Sequence, residues 1–435
     1  MAGTIDGTSS VPADEPEVRP GGIPLYVWVL VAVALAVPVG LYWQGAAVRL
    51  NILPSMIIRA LSALAAPLVV LAILHAIVTN DIRGRQGFLM MIYYLVNTLV
   101  AMGIGLTLAN LIQPGRGADL IDLGRNPKPL ATKSVTDLIT ELIPRSVGDA
   151  FAQNNLAQLV LLTLALAIGL SKIRDEQSRR GETSYRVAVD LLSVGFELLM
   201  RVLLWVVALV PLAVFGVVAS SVGQKEGIHV FQSLIWLIAV VLLGLACQNA
   251  WYLVVLFVVR GMSPVRFLRG ALDVMASTFS TASTAATMPI TLKSLTGKLG
   301  VSRESSQLAA CIGTNFNNDG TALYQATAVL FMAQAMGFSL GPVDQIIIVL
   351  TTLVASVGAG GIPSGSFVTL PLIFAAVGLP ADKIPVLLTV DWFLDRCRTT
   401  SNVLGDMTVA ILLDRTAGPK GVKDRVEQED PAPIP

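Results

Sequence analysis

Six stretches of this 435-residue chain, at about 24–43, 50–79, 86–113, 151–172, 188–222 and 228–260, are apolar for long enough to cross a bilayer, which takes roughly 20 residues as a helix. That length fixes the class before any motif is weighed, and the spacing predicts an all-α polytopic membrane protein. Composition agrees: 54% of the residues are hydrophobic and only 14% charged, against about 25% charged in soluble domains. The first 23 residues are acidic, rich in Pro and Gly, and lack the basic region and small-residue cleavage site of a secretory signal. They read as a disordered tail, as do residues 416–435.

The formal net charge of +1 leaves no global field for nucleic acid, so the basic residues speak to orientation instead. Arg83 and Arg85 lie between the second and third spans, and Lys172, Arg174, Arg179, Arg180 and Arg186 between the fourth and fifth. Arg260, Arg266 and Arg269 follow the sixth, and Arg415, Lys420 and Lys423 the last hydrophobic segment. The expected location is the plasma (inner) membrane, and the positive-inside rule puts both termini on its cytoplasmic side. The basic loop at 114–150 is long and counts less in that rule. Cys247, Cys311 and Cys397 fall in apolar segments without a CxxC pair, which suggests neither a zinc site nor a disulfide framework.

Beyond residue 270 two polar, small-residue interruptions appear inside hydrophobic sequence: STFSTASTAATMPIT at 277–291 and ASVGAGGIPSGSFVTLPL at 355–372. Close helix packing through small residues explains either break alone. Each is followed, however, by a helix candidate with polar residues. GTNFNNDGTALYQATAVLF at 313–331 sets Asn315, Asn317, Asn318 and Asp319 beside Gly320 and Thr321. A carboxylate at membrane depth costs about 2.5–3.5 kcal/mol on insertion scales, which marks it as functional. Backbone breaks at that depth need protein or an aqueous cavity around them, and paired breaks point to inverted repeats with a site at the midplane. Carbonyl, amide and carboxylate oxygens around an unwound turn suit a hard monovalent cation.

The second such candidate contains DWFLDRCRTTSNVLGD at 391–406. On a helix at about 100° per residue, with Asp395 at zero, Asp391 falls near −40°, Arg398 near −60°, Thr399 near +40°, Asn402 near −20° and Asp406 near +20°. Arg396 falls near +100°, off this stripe, and must do another job. A salt-bridge ladder that merely positions the helix would not need Thr399 and Asn402 between the charges. The alternative is an amphoteric substrate site, in which Arg398 offers a planar fork to a carboxylate and Asp395 accepts an ammonium. Asn402 and Asp406, one turn further, offer oxygens to a cation.

DWFLDRCRTTSNVLGD, NNDGTALYQA, the Ser/Thr hairpin ending ATMPIT and GAGGIPSGS together resemble the dicarboxylate/amino acid:cation symporter family, which includes glutamate and aspartate transporters. The resemblance spans about 24–415 and is most specific over 277–406. It implies eight transmembrane helices plus two re-entrant hairpins, inverted repeats, an elevator-like transport cycle and a homotrimer in the lipid bilayer. Residues 24–260 would hold helices 1–6, both scaffold and part of the moving domain, and 261–415 the core transport domain. It also implies that Arg398 binds the substrate side-chain carboxylate and Asp395 its amino group. Thr321, Asn402, Thr399, Thr284, Ile362 and Ser366 would complete the pocket. Co-transported sodium would use Gly313, Asn317, Asn402 and Asp406 at one site and Asn315, Ser356, Val357 and Ala359 at a second. Tyr94, Asn97, Thr98, Asn317 and Asp319 would form a third.

Three departures from the family pattern touch these positions. Asn318 stands where relatives usually carry methionine, Ala285 ends the three-serine run of the first hairpin, and Asn97 replaces a usual threonine. Gln325 stands where proton-coupled animal relatives have a glutamate. The expected activity is sodium-coupled symport of an acidic amino acid, not an enzyme reaction. Alternatives are sodium- or proton-coupled transport of neutral amino acids or C4-dicarboxylates, or a channel-like anion conductance. An intramembrane protease is disfavoured: GxGD and HExxH are absent, and His75 and His229 lie far from the polar cluster.

Overall fold

The computed structural model describes residues 25–79, 84–117, 143–144, 146–152, 156–223, 227–358 and 365–414, and among them it is helical throughout with no strand. The first half contains α1 (Leu25–Tyr42), α2 (Gln44–Arg49), α3 (Ile52–Thr79), α4 (Gly84–Ile112), α5 (Val147–Ala152), α6 (Leu156–Arg179), α7 (Tyr185–Ala208), α8 (Val210–Val222) and α9 (Gly227–Arg260). Five helical stretches, Leu25–Tyr42, Gln44–Thr79, Arg85–Ile112, Tyr185–Val222 and Gln232–Arg260, are long and apolar enough to cross a membrane. Large apolar side chains face outward on them, among them Trp28, Leu35, Leu191 and Trp205. Outward apolar surface of this kind is what a lipid solvent calls for.

Two spans differ from their sequence outlines. The fourth, expected at about 151–172, runs as α6 to Arg179 and so carries charges in its last turns. The fifth divides at Leu209 into α7 and α8, with Pro211 in the first turn of α8, because a proline in a helix interior removes one hydrogen bond and crowds the preceding turn. Proline content alone does not predict such a break, since Pro38 and Pro67 sit inside the continuous α1 and α3.

The second half contains α10 (Pro264–Thr281), α11 (Thr284–Lys293), a π-helical turn (Ser294–Lys298), α12 (Arg303–Phe316), α13 (Asp319–Ala335), α14 (Pro342–Gly358), α15 (Gly365–Ala376) and α16 (Pro385–Leu413). Helices α10 and α11 pack on each other as a hairpin, and so do α14 and α15. The first polar interruption reduces to a two-residue break: Ala282 adopts the left-handed conformation at φ 52°, and the Ser283 hydroxyl caps α11 by accepting from the Ala286 amide at 3.1 Å. The apex of the second interruption, including Ala359 and Ile362, lies outside the described residues. The 313–331 candidate is broken at Asn317 and Asn318 into α12 and α13. Helix α16 packs along α9, α12, α10 and α13, while α13 also packs along α4, so the polar stripe of α16 faces the α12–α13 break.

Candidate functional site

All six stripe residues of α16 face inward. Asp391, Arg398, Thr399, Asn402 and Asp406 are buried, and the Asp395 side chain is 19% exposed against 5% for Asp391. The Arg398 guanidinium donates from Nη2 to Asp391 Oδ1 and to Asp395 Oδ1, both at 2.7 Å, and its Cζ lies 4.0 Å from the centroid of the Tyr324 ring. Its Nε and Nη1 are buried and have no hydrogen-bond partner among the described residues. Leaving a buried charged donor unmet costs more than about 1–3 kcal/mol, so this edge is suited to an incoming acceptor. Two carboxylates against one guanidinium also leave a formal excess of one negative charge. Asp395, the more accessible of the two, is placed to meet a cationic group.

One turn deeper, Asn402 joins three elements. Its Oδ1 accepts the Gly320 amide at 2.8 Å, and its Nδ2 reaches Thr321 Oγ1 at 3.3 Å. Gly320 must lack a side chain there, since a Cβ would stand 2.8 Å from the Arg398 carbonyl. Asn317 Nδ2 donates to Asp406 Oδ1 at 2.8 Å and to the Asn402 carbonyl at 2.9 Å, while Asn317 Oδ1 is buried without a donor among the described residues. Gly313 presses on the same carboxylate: a Cβ there would meet Asp406 Oδ1 at 2.1 Å.

A further layer joins α4, α9 and α13. Thr98 Oγ1 and Tyr252 OH each donate to Asp319 at 2.6 Å. The Tyr94 hydroxyl donates to the Ala309 carbonyl at 2.8 Å. Asn97 accepts from Trp251 Nε1 at 3.2 Å through its side-chain oxygen and from Gln248 Nε2 at 3.3 Å through its carbonyl. Asp319 and Asp406, both buried, have no Lys, Arg or His at ion-pair distance among the described residues. Buried charges are paired or coordinate a metal. An oxygen-rich setting with an orphaned amide oxygen fits a hard monovalent cation, and no described group of three His, Cys, Asp or Glu residues offers a transition-metal site.

Most residues expected at the site are thus brought together: Tyr94, Asn97, Thr98, Gly313, Asn317, Asp319, Thr321, Asp395, Arg398, Thr399, Asn402 and Asp406. Thr399 spends its hydroxyl on the Asp395 carbonyl within its own helix, at 2.7 Å. The Thr284 and Ser366 hydroxyls, in the first turns of α11 and α15, are buried without a partner among the described residues. The Asn315 and Ser356 carbonyls both accept from the Asn318 amide, and Val357 lies in the last turn of α14. Arg396 does the separate job its angle requires. It donates to the Phe279 and Ser280 carbonyls at 3.3 and 3.2 Å, capping the C-terminus of α10, and lies 5.1 Å over the Tyr26 ring. Sequence reading missed Tyr324 and the α9 contributors Gln248, Trp251 and Tyr252. Gln248 and Tyr252 stand four residues apart in an apolar span, which was a legible signal of one polar face.

Residues 25–416 match the sodium:dicarboxylate symporter family. The chain belongs to that family. The symporter is 31% identical over 420 residues to a C4-dicarboxylate transport protein of Anaeromyxobacter sp. (strain K), covering 91% of this chain and 90% of the relative. It is 30% identical to the human neutral amino acid transporter B(0), covering 94% and 85%. It is 26% identical to the human excitatory amino acid transporter 3, covering 81% and 76%. Family and helices together make it a multi-pass membrane transporter rather than an enzyme.

Proposed function

We propose that this chain is a sodium-coupled symporter of acidic amino acids, working by alternating access as a homotrimer in the plasma (inner) membrane with both termini cytoplasmic. The observation that carries the substrate class is Arg398: a buried guanidinium whose Nε and Nη1 have no hydrogen-bond partner among the described residues, beside the more accessible carboxylate of Asp395. An acidic amino acid answers both, placing its side-chain carboxylate on the guanidinium and its ammonium on Asp395. A neutral amino acid leaves the guanidinium edge unmet, as would be needed of a substrate like that named for the B(0) relative. A C4-dicarboxylate, as named for the Anaeromyxobacter relative, adds two negative charges to a cluster already in excess by one. Leaving a buried charge unpaired costs about 3–5 kcal/mol. Aspartate and glutamate differ by one methylene, worth only about 1–3 kcal/mol, so both fall within the class.

In this reading Thr321, Thr399, Asn402, Thr284, Ser366 and Ile362 complete the substrate pocket. Sodium balances Asp406 with Gly313, Asn317 and Asn402, and Asp319 with Tyr94, Asn97, Thr98 and Asn317; at the further sodium site that the family resemblance implies, with Asn315, Ser356, Val357 and Ala359, the Asn315 and Ser356 carbonyls already accept from the Asn318 amide. Purified protein in liposomes is expected to accumulate L-aspartate or L-glutamate saturably under an inward sodium gradient and not with equal sodium on both sides. Non-saturating flux, independent of the sodium gradient, would indicate a conductance instead.

Protons are not expected to replace sodium. Gln325 is an amide and cannot titrate, and its Nε2 donates to Thr369 Oγ1 inside the protein. An inward proton gradient with no sodium present should therefore yield no accumulation of aspartate, measured in the same proteoliposomes. Robust sodium-free, proton-driven accumulation would contradict this.

A further inference from the structure

Helices α12 and α14 both end beside Asn318. The Asn315 carbonyl belongs to the last turn of α12 and the Ser356 carbonyl to the last turn of α14. The last four carbonyls of a helix lack an intrahelical partner and carry the negative end of the helix dipole. Two such ends brought together make a setting for a cation. Here the place is filled from within: Asn318 is buried, and its Nδ2 donates to the Ser356 carbonyl at 2.9 Å and to the Asn315 carbonyl at 3.4 Å. Its Oδ1 faces Asn402 Nδ2 at 3.5 Å. The partners fix which end of the amide is which, because the flipped amide would set its oxygen against two carbonyl oxygens and its nitrogen against another NH2 group.

We propose that the Asn318 carboxamide takes the place of one transported cation, satisfying the facing Asn315 and Ser356 carbonyls so that substrate binding in this chain requires one sodium ion fewer than it would with a side chain lacking a donor at this position. The amide ties the end of α14 to the α12–α13 break and, through Asn402, to α16. It supplies without an ion the same cross-link that an ion between those carbonyls would provide. Methionine, with only a weak sulfur acceptor, offers neither carbonyl a donor and so restores the need for a cation.

This inference rests on the sodium-coupled reading, and one measurement tells the two apart. The slope of log substrate affinity against log sodium concentration counts the sodium ions linked to substrate binding. Aspartate binding to detergent-purified wild type and Asn318→Met is titrated over a range of sodium, with sodium bound per chain measured by equilibrium dialysis. Asn318→Met is expected to show a slope steeper by about one, so that each tenfold drop in sodium costs it about tenfold more affinity than wild type, and to bind one more ion per chain. Asn318→Ala removes the same donor and serves if the methionine variant does not fold. Equal, non-zero slopes and equal ion counts in wild type and variants would overturn the role of Asn318 while leaving sodium coupling intact. Slopes of zero throughout would overturn both.

Discussion

Arg398→Ala is expected to abolish acidic amino acid transport, lowering kcat/KM for aspartate by at least about 100-fold. In the proposed site the free guanidinium edge would make two charge-assisted hydrogen bonds to the substrate carboxylate, each worth about 1.5–3 kcal/mol, and each 1.4 kcal/mol is about tenfold. The same substitution leaves Asp391 and Asp395 buried without their cation, which destabilises the protein by about 3–5 kcal/mol. Arg398→Lys separates the two effects. The ammonium keeps a charge between the two carboxylates and so preserves most of the stability, but it has no planar fork for a second carboxylate. Thermal stability near wild type together with a severe loss of aspartate affinity is the expected outcome for lysine. Full aspartate affinity in Arg398→Lys would show that Arg398 serves only the ladder with Asp391 and Asp395.

Gly313→Ala is the smallest change with a comparably large effect. In an ordinary helix, alanine for glycine stabilises by about 0.5–1 kcal/mol. At this position the added carbon would lie 2.1 Å from Asp406 Oδ1 and 2.8 Å from the Tyr94 hydroxyl. The carboxylate must leave its bond with Asn317, and the cation setting goes with it. The sodium concentration for half-maximal aspartate binding should rise at least about tenfold, and aspartate affinity at fixed sodium should fall in step, since coupling between two ligands is reciprocal. Asp406→Asn, which removes the charge without the clash, should move both quantities in the same direction. Gly103→Ala on α4, whose added carbon meets nothing within 4 Å, is the matched control and should behave as wild type. Loss of uptake in Gly313→Ala with unchanged sodium dependence of binding would count against the cation role of Asp406.

The sequence was most legible where a single helix carries the chemistry. The stripe on α16 follows from the 100° step alone, and so does the exclusion of Arg396 from it. The polar character of 313–321 was legible because clustered amides, a carboxylate and a glycine have no place in a lipid-facing helix, but the break that divides this one helix candidate at Asn317 and Asn318 was not. What stayed hidden depends on which helices meet. Tyr324 lies three residues after Thr321, but only the packing of α13 on α16 brings its ring over Arg398. Tyr252 joins Asp319 across 67 residues of chain, and no local pattern encodes that pairing. The substitution of asparagine at 318 was visible as a departure. Its consequence was not, because the carbonyls it bridges belong to helices far apart in sequence.

The most direct measurement of the central claim is a substrate panel in proteoliposomes: initial uptake rates of L-aspartate, L-glutamate, succinate and L-serine under one inward sodium gradient. A site with one buried guanidinium, one more accessible carboxylate and, beneath them, the buried carboxylates of Asp319 and Asp406 without an ion-pair partner among the described residues predicts saturable, sodium-driven uptake of aspartate or glutamate. Its kcat/KM should exceed that for succinate and for serine by at least about 100-fold, the worth of one unmet buried charge. Efficient uptake of succinate or serine with poor uptake of both acidic amino acids would contradict it.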